Sequence, residues 1–175
     1  KHGGCEHLLC YFDQETMEKM TIGDKIDVRS QGQGMKLIDY PDILLRNMSP
    51  ELLEKMNIEE KDGKLKVGVA KIVPACIMGS GLGASTSYYG DYDITLHDKK
   101  LTEEYGLQNL RFGDIVAITD ADTRFGRNFM TGAMTIGVVV HSDCILAGHG
   151  PGVTTLMTCK TPLIEAFIDE NANLH

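Results

Sequence analysis

The residues best suited to chemistry lie between Asp120 and Gly152. The stretch reads Asp120-Ala-Asp122-Thr-Arg124, later Thr135-Ile-Gly-Val-Val-Val-His141-Ser142-Asp143-Cys144, then Gly148-His149-Gly150-Pro151-Gly152. An apolar strand that ends in His141, Ser142 and Asp143 puts polar groups where rigid backbone can aim them. His149 stands between glycines, so little side-chain bulk shields its imidazole or the neighbouring N–H groups, Gly150 among them. His141, Asp143 and His149, with Asp120 and Asp122 ahead of the strand, form a nitrogen and oxygen donor set. Such donors suit a divalent metal: Zn, Mn or Fe. The competing reading makes His141 a strand-end histidine satisfied by carbonyls, and Asp120-Ala-Asp122 ordinary turn chemistry. Cys144 and His149 could also pair as nucleophile and base, although Cys144 runs into Ile145-Leu146 and fits core packing better.

A second cluster is Gly79-Ser80-Gly81-Leu82-Gly83-Ala84-Ser85-Thr86. It formally satisfies G-x-G-x-x-G/A, but in a dinucleotide fold that loop must open a helix. Here Ser85-Thr-Ser-Tyr-Tyr-Gly90 follows, a run of poor helix formers, so no nucleotide cofactor is expected. Ser80, Gly81 and Ser85 can still offer N–H and hydroxyl donors to a small ligand, or the loop is a connector. Next comes Asp91-Tyr92-Asp93. Residues two apart on a strand share a face, so these carboxylates form a candidate acid/base pair in which one keeps its proton. Isolated turn aspartates are the alternative. Arg124 is a candidate grip for a substrate carboxylate, with Arg127 beside it across Gly126.

The elements that must position these groups are mostly short strands. Gly-Asp corners precede Ile26/Val28 and Ile115–Thr119, and further strands are predicted at Met35–Asp39, Lys66–Pro74, Ala133–His141 and Val153–Cys159. Ser49-Pro50-Glu51 opens the best helix, with Ser as N-cap and Pro in the first turn. Shorter helices are predicted at Asp13–Met20 and Thr102–Tyr105, and a hairpin turn at Lys61-Asp62-Gly63-Lys64. The fold class expected is mainly β with a few short helices (α+β), as a barrel-like or layered sheet. Residues 1–175 read as a single domain.

Composition narrows the partners. Seventeen Lys and Arg against 25 Asp and Glu leave a net charge of −8, without the basic stripe of a nucleic-acid binder. No apolar run approaches the ~20 residues of a membrane span. The five cysteines show no C-x-x-C spacing, and reduced thiols fit a cytoplasmic location. A homo-oligomer is expected of a glycine-rich β domain.

Three strings are long enough to be specific: Gly113-Asp-Ile-Val-Ala-Ile-Thr-Asp120-Ala-Asp122, Thr135–Asp143 and Gly148–Val153. With Gly32-Gln-Gly34, Gly79-Ser-Gly81 and the opening Lys1-His2-Gly3-Gly4, they resemble a prokaryotic protein family of unknown function over nearly the whole chain. The resemblance implies that the chain is the C-terminal portion of a longer or two-chain protein, whose N-terminal region precedes the Lys-His-Gly-Gly element. It also implies an aliphatic residue at the Cys5 position, which argues against a catalytic thiol there. A fainter likeness, in the Gly-Asp strand grammar and the His/Asp/Gly loops, is to the acetamidase/formamidase amidohydrolases; their motifs are not present in order, and it is analogy only.

Three functions are compatible with these residues. The first is a metal-assisted hydrolase of a small polar amide or related C–N bond, with Asp91, Asp93, Asp143 and His149 in catalysis. The second is a non-catalytic small-ligand-binding or assembly module. The third is one chain of a processed two-chain enzyme, its site completed by an N-terminal fragment or partner chain.

Overall fold

The computed structural model describes residues 12–27, 29–82, 87 and 90–175. Three short helices start where a side chain can accept a free N–H: Asp13 caps α1 (Gln14–Lys19), Ser49 caps α2 (Pro50–Lys55) and Asp98 caps α3 (Lys99–Glu104). Such caps satisfy N–H groups left without intrahelical partners. The strands in chain order are β1 (Leu44–Leu45), β2 (Ile58–Lys61), β3 (Lys64–Val69), β4 (Lys71–Pro74) and β5 (Met78–Gly81). After them come β6 (Asp91–Ile94), β7 (Ile115–Asp122), β8 (Asn128–His141), β9 (Gly152–Cys159) and β10 (Ile164–Ile168). The fold is mainly β, as expected: the larger sheet curls into a half-barrel, and a second sheet accompanies it.

The larger sheet runs β4-β7-β8-β9-β6-β5, and β1 pairs with β9 beside it. The far edge of β9 is therefore shared, with β6 along Gly152–Thr154 and β1 along Met157–Thr158. The smaller sheet is β10-β3-β2. Apolar residues on β7 explain the arrangement. Ile115 and Ala117 join the core that holds Leu65, Val67 and Val69 of β3, whereas Val116 and Ile118 join a second core with Val73, Ile94, Leu107 and Val153. A strand buried on both faces reads as a continuous apolar run rather than an alternation.

Several expectations need correction. Lys66–Pro74 is not one strand: β3 belongs to the smaller sheet and β4 to the larger, and Ala70 between them donates to the Ile115 carbonyl. Met35–Asp39 forms no strand. Gly32 and Gly34 take positive φ just ahead of it, and Met35 and Leu37 pack on the core from irregular backbone. Ile26 is also outside any strand and half exposed, while Val28 lies outside the described residues. The Lys61–Lys64 hairpin is present, with Asp62 at φ 54° and Gly63 at φ 70°, both central residues in the left-handed region that a tight two-residue turn needs. No helix among the described residues is long and apolar enough to cross a membrane.

Because Ile118 is fully buried in the second core, truncating it leaves a cavity that neighbouring strands cannot close. Ile118→Ala is expected to lose about 2–5 kcal/mol of unfolding free energy, read from the shift of the urea midpoint.

Candidate functional site

Three neighbouring strands build the site. On β6, Asp91 and Asp93 share a face; at the end of β8 stands His141; β9 runs between them and supplies Gly152. The register is direct, since Asp93 pairs with Gly152 and Gly152 pairs with His141. A Cβ on Gly152 would collide with both Asp91 Oδ2 and His141 Nε2. Glycine is therefore what lets the two outer strands bring their side chains together over the middle one.

Across that gap His141 Nε2 lies 2.5 Å from Asp91 Oδ2 and 3.4 Å from Asp93 Oδ1. Both carboxylates are buried. The other ring nitrogen, Nδ1, sits 2.9 Å from the Ser142 carbonyl oxygen, a group that can only accept, so Nδ1 carries a proton. Nε2 then faces two carboxylates. A bare lone pair there would be repelled, so the gap calls for a positive charge. A proton shared between the ring and a carboxyl, or a cation, can supply it. One ligand atom from each of Asp91, Asp93 and His141 falls within 4.8 Å of the others, a spacing that can hold a metal ion.

Asp93 is the centre of a second set of contacts. Its Oδ2 accepts from Ser80 Oγ at 3.2 Å and lies 3.9 Å from His149 Nδ1; its Oδ1 takes the Gly150 N–H at 3.4 Å. Ser80 Oγ is also 3.4 Å from His149 Nδ1. Burial pushes the Asp93 carboxyl above the ordinary range, and the charge of Asp91 adds to this, while Gly150, His141 and Ser80 pull the other way. Burying two like charges together raises the proton affinity of one of them.

Residues 55–175 match the C-terminal part, and residues 1–54 the N-terminal part, of a family described as a domain of unknown function, DUF4438. The chain belongs to the DUF4438 family. The two matches meet inside α2, although Tyr40, Ile43, Leu45 and Met48 share one core with β3, β7, β8 and β9. No curated protein matches the chain. It is similar to the crystal structure of TM1086, with 47% identity over 99% of this chain and a TM-score of 0.91. The chain spans 60% of the length of that solved protein.

In this DUF4438 chain the residues singled out from sequence divide into groups. Asp91, Asp93 and His141 meet, and His149, Ser80 and Gly150 gather on Asp93. Gly81 ends β5 at positive φ, packed on the Asp91 carbonyl. Asp143 is exposed beside the cluster, and its Oδ1 accepts from the Cys144 N–H. Asp120 and Asp122 are not brought to the group. Asp120, at φ 55°, caps the Gly132 N–H, and Asp122 holds Arg124 through both carboxylate oxygens. Arg124, partly exposed, is thereby paired within the chain. Ser85 lies outside the described residues, as do the N-terminal histidines and Cys5. Sequence reasoning missed Gly152, although its place at the end of Gly-His-Gly-Pro-Gly was a signal of close backbone approach. It also missed the role of Arg127, which donates to the Gly79 carbonyl at 2.7 Å and so ties the β7–β8 turn to β5.

Two outcomes follow from this geometry. A group whose folded pKa is raised contributes stability below its unfolded pKa, and that contribution is lost as pH rises through the folded value. In chelator, Asp93→Asn should therefore melt higher than the parent at neutral pH, and the gap should narrow as the pH falls through the raised Asp93 pKa. Thermal unfolding across a pH series reads this. The atoms nearest the new methyl of Gly152→Ala are side-chain ends of Asp91 and His141, so circular dichroism should show the fold retained. Affinity of the cluster for added Zn or Mn should fall by roughly 10–100-fold, as when a metal ligand loses its orientation, measured by titration.

Proposed function

We propose that Asp91, Asp93 and His141 hold a divalent metal ion and that the centre hydrolyses the C–N bond of a small amide. The observation that carries the reading is the proton inventory of His141. With Nδ1 committed to a carbonyl, Nε2 points its remaining valence at two buried carboxylates, an arrangement suited to a cation. One nitrogen and two carboxylate donors fit Zn, Mn or Fe. Ligands bound to one ion at ~2.0–2.2 Å stand about 3 Å or more apart, which the 3.4 Å separation of Nε2 from Asp93 Oδ1 meets. The 2.5 Å separation from Asp91 Oδ2 is that of a shared proton, so an ion entering here displaces a proton, as metal binding commonly does.

Three protein ligands leave room for water and substrate, the pattern of catalytic rather than structural sites. A bound ion would supply a nucleophilic water at neutral pH and polarise a carbonyl. The chain's own groups do the rest. Ser80 Oγ and the Gly150 N–H hold Asp93 in place, as outer partners of a ligand do. His149, half exposed and beside Asp93, is placed to carry a proton to the departing nitrogen. Water adds to the carbonyl carbon, the C–N bond breaks, and an acid and an amine leave.

The test is metal analysis of protein purified without a histidine tag, followed by assay of an amide panel with and without chelator. A stoichiometric ion, lost in Asp93→Asn and His141→Ala, with hydrolysis that chelation abolishes and metal restores, is the expected result. Protein that takes up no added Zn, Mn or Fe removes the metal centre; hydrolysis indifferent to chelation removes its catalytic role.

A further inference from the structure

His141 borders two spaces. Its Nε2 faces the carboxylates, and the same residue also lines a cavity of about 730 Å³. That volume lies within the ~300–1,000 Å³ of small-molecule sites. The apolar part of its lining is Leu96, Leu107, Leu110, Phe112, Val139 and Val140, and the polar part includes Ser142 and Asp143. The arginine on its lining, Arg111, bonds the buried Asp114 and the Glu170 carbonyl. The charge of Arg111 is thus matched by Asp114, and Asp143 on the same lining repels a second carboxylate. A second cavity, of about 630 Å³ around Gly32, Arg46 and Asn47, has none of the cluster residues in its lining.

We propose that the ligand of the cluster is an amide whose acyl group is apolar, aliphatic or aromatic, and that this cavity takes that group. The inference rests on the proposed metal site and sharpens its substrate class. A wholly polar amide would leave the leucine and valine wall wet. An apolar acyl chain gains by its burial, and His141 joins the place where the chain lies to the place where the headgroup reacts. Asp143 at the rim selects against acyl groups that end in a carboxylate.

Aliphatic hydroxamates test this, because the hydroxamate head binds a metal while the tail can be lengthened. Acetohydroxamate, butano-, hexano- and benzohydroxamate would be titrated by calorimetry into zinc- or manganese-loaded protein. Affinity is expected to rise about fourfold per methylene until the cavity is full. Leu110→Gln should flatten that rise and leave acetohydroxamate binding unchanged. An equal affinity for every tail in the parent protein overturns the proposal, whatever Leu110→Gln does. If the protein takes up no metal, the metal reading fails separately. The same tails, as primary amides on the metal-free protein, then decide the cavity: affinity that climbs with length supports it, and a flat series overturns it.

Discussion

The site depends on one constraint: two carboxylates buried side by side must be given positive charge. Two like charges 4 Å apart repel by about 4 kcal/mol at the effective dielectric of ~20 that suits protein sites. The structure offers an imidazole whose far nitrogen is pinned by a carbonyl, and whose near nitrogen faces both carboxylates. It also raises the proton affinity of Asp93, so the metal-free cluster lowers its own charge. The same three side chains could hold a proton or, with Nε2 and Asp91 Oδ2 moved apart from 2.5 Å, a cation. A cluster of this kind is built by strand register more than by loops, because β6, β9 and β8 deliver their side chains at fixed spacing.

Much of the chemistry was legible. The i, i+2 spacing of Asp91 and Asp93 predicted a shared strand face, and the polar end of the valine run predicted that His141 would be presented. The pairing of those two segments was not legible, because β6 and β8 meet only through β9, and nothing in a single sequence states which strands are neighbours. Asp120 and Asp122 looked equally suitable as ligands. What separates them is their local commitments: Asp120 takes a left-handed φ at an irregularity within β7 and bonds the Gly132 N–H, and Asp122 is matched to Arg124, two residues away.

The fold shows the same division. The Ser49 cap marked α2 well, since it acts within three residues of itself, whereas the helix expected at Thr102–Tyr105 starts earlier, at Lys99 behind its Asp98 cap. Met35–Asp39 misled because Met35 and Leu37 do pack on the core, while Ile38 is exposed and no strand partner regularises the backbone. Lys66–Pro74 misled because an apolar-rich stretch, broken only by Lys71, crosses from one sheet to the other at Ala70. Apolar pattern reports burial; it does not report which ladder a residue joins.

The small sheet carries a kinetic consequence. Its β2–β3 hairpin is local, but β3 acquires its other neighbour only when Ile164 aligns in parallel with Leu65, roughly a hundred residues further along the chain. Closing so long a loop is entropically slow, which makes parallel pairings of this kind late events in assembly. Until then Leu65, Val67 and Val69 offer a bare backbone edge next to apolar side chains, the hallmark of self-association through strand addition. A nascent molecule of this protein is thus most vulnerable to clumping in the interval before its last strand docks.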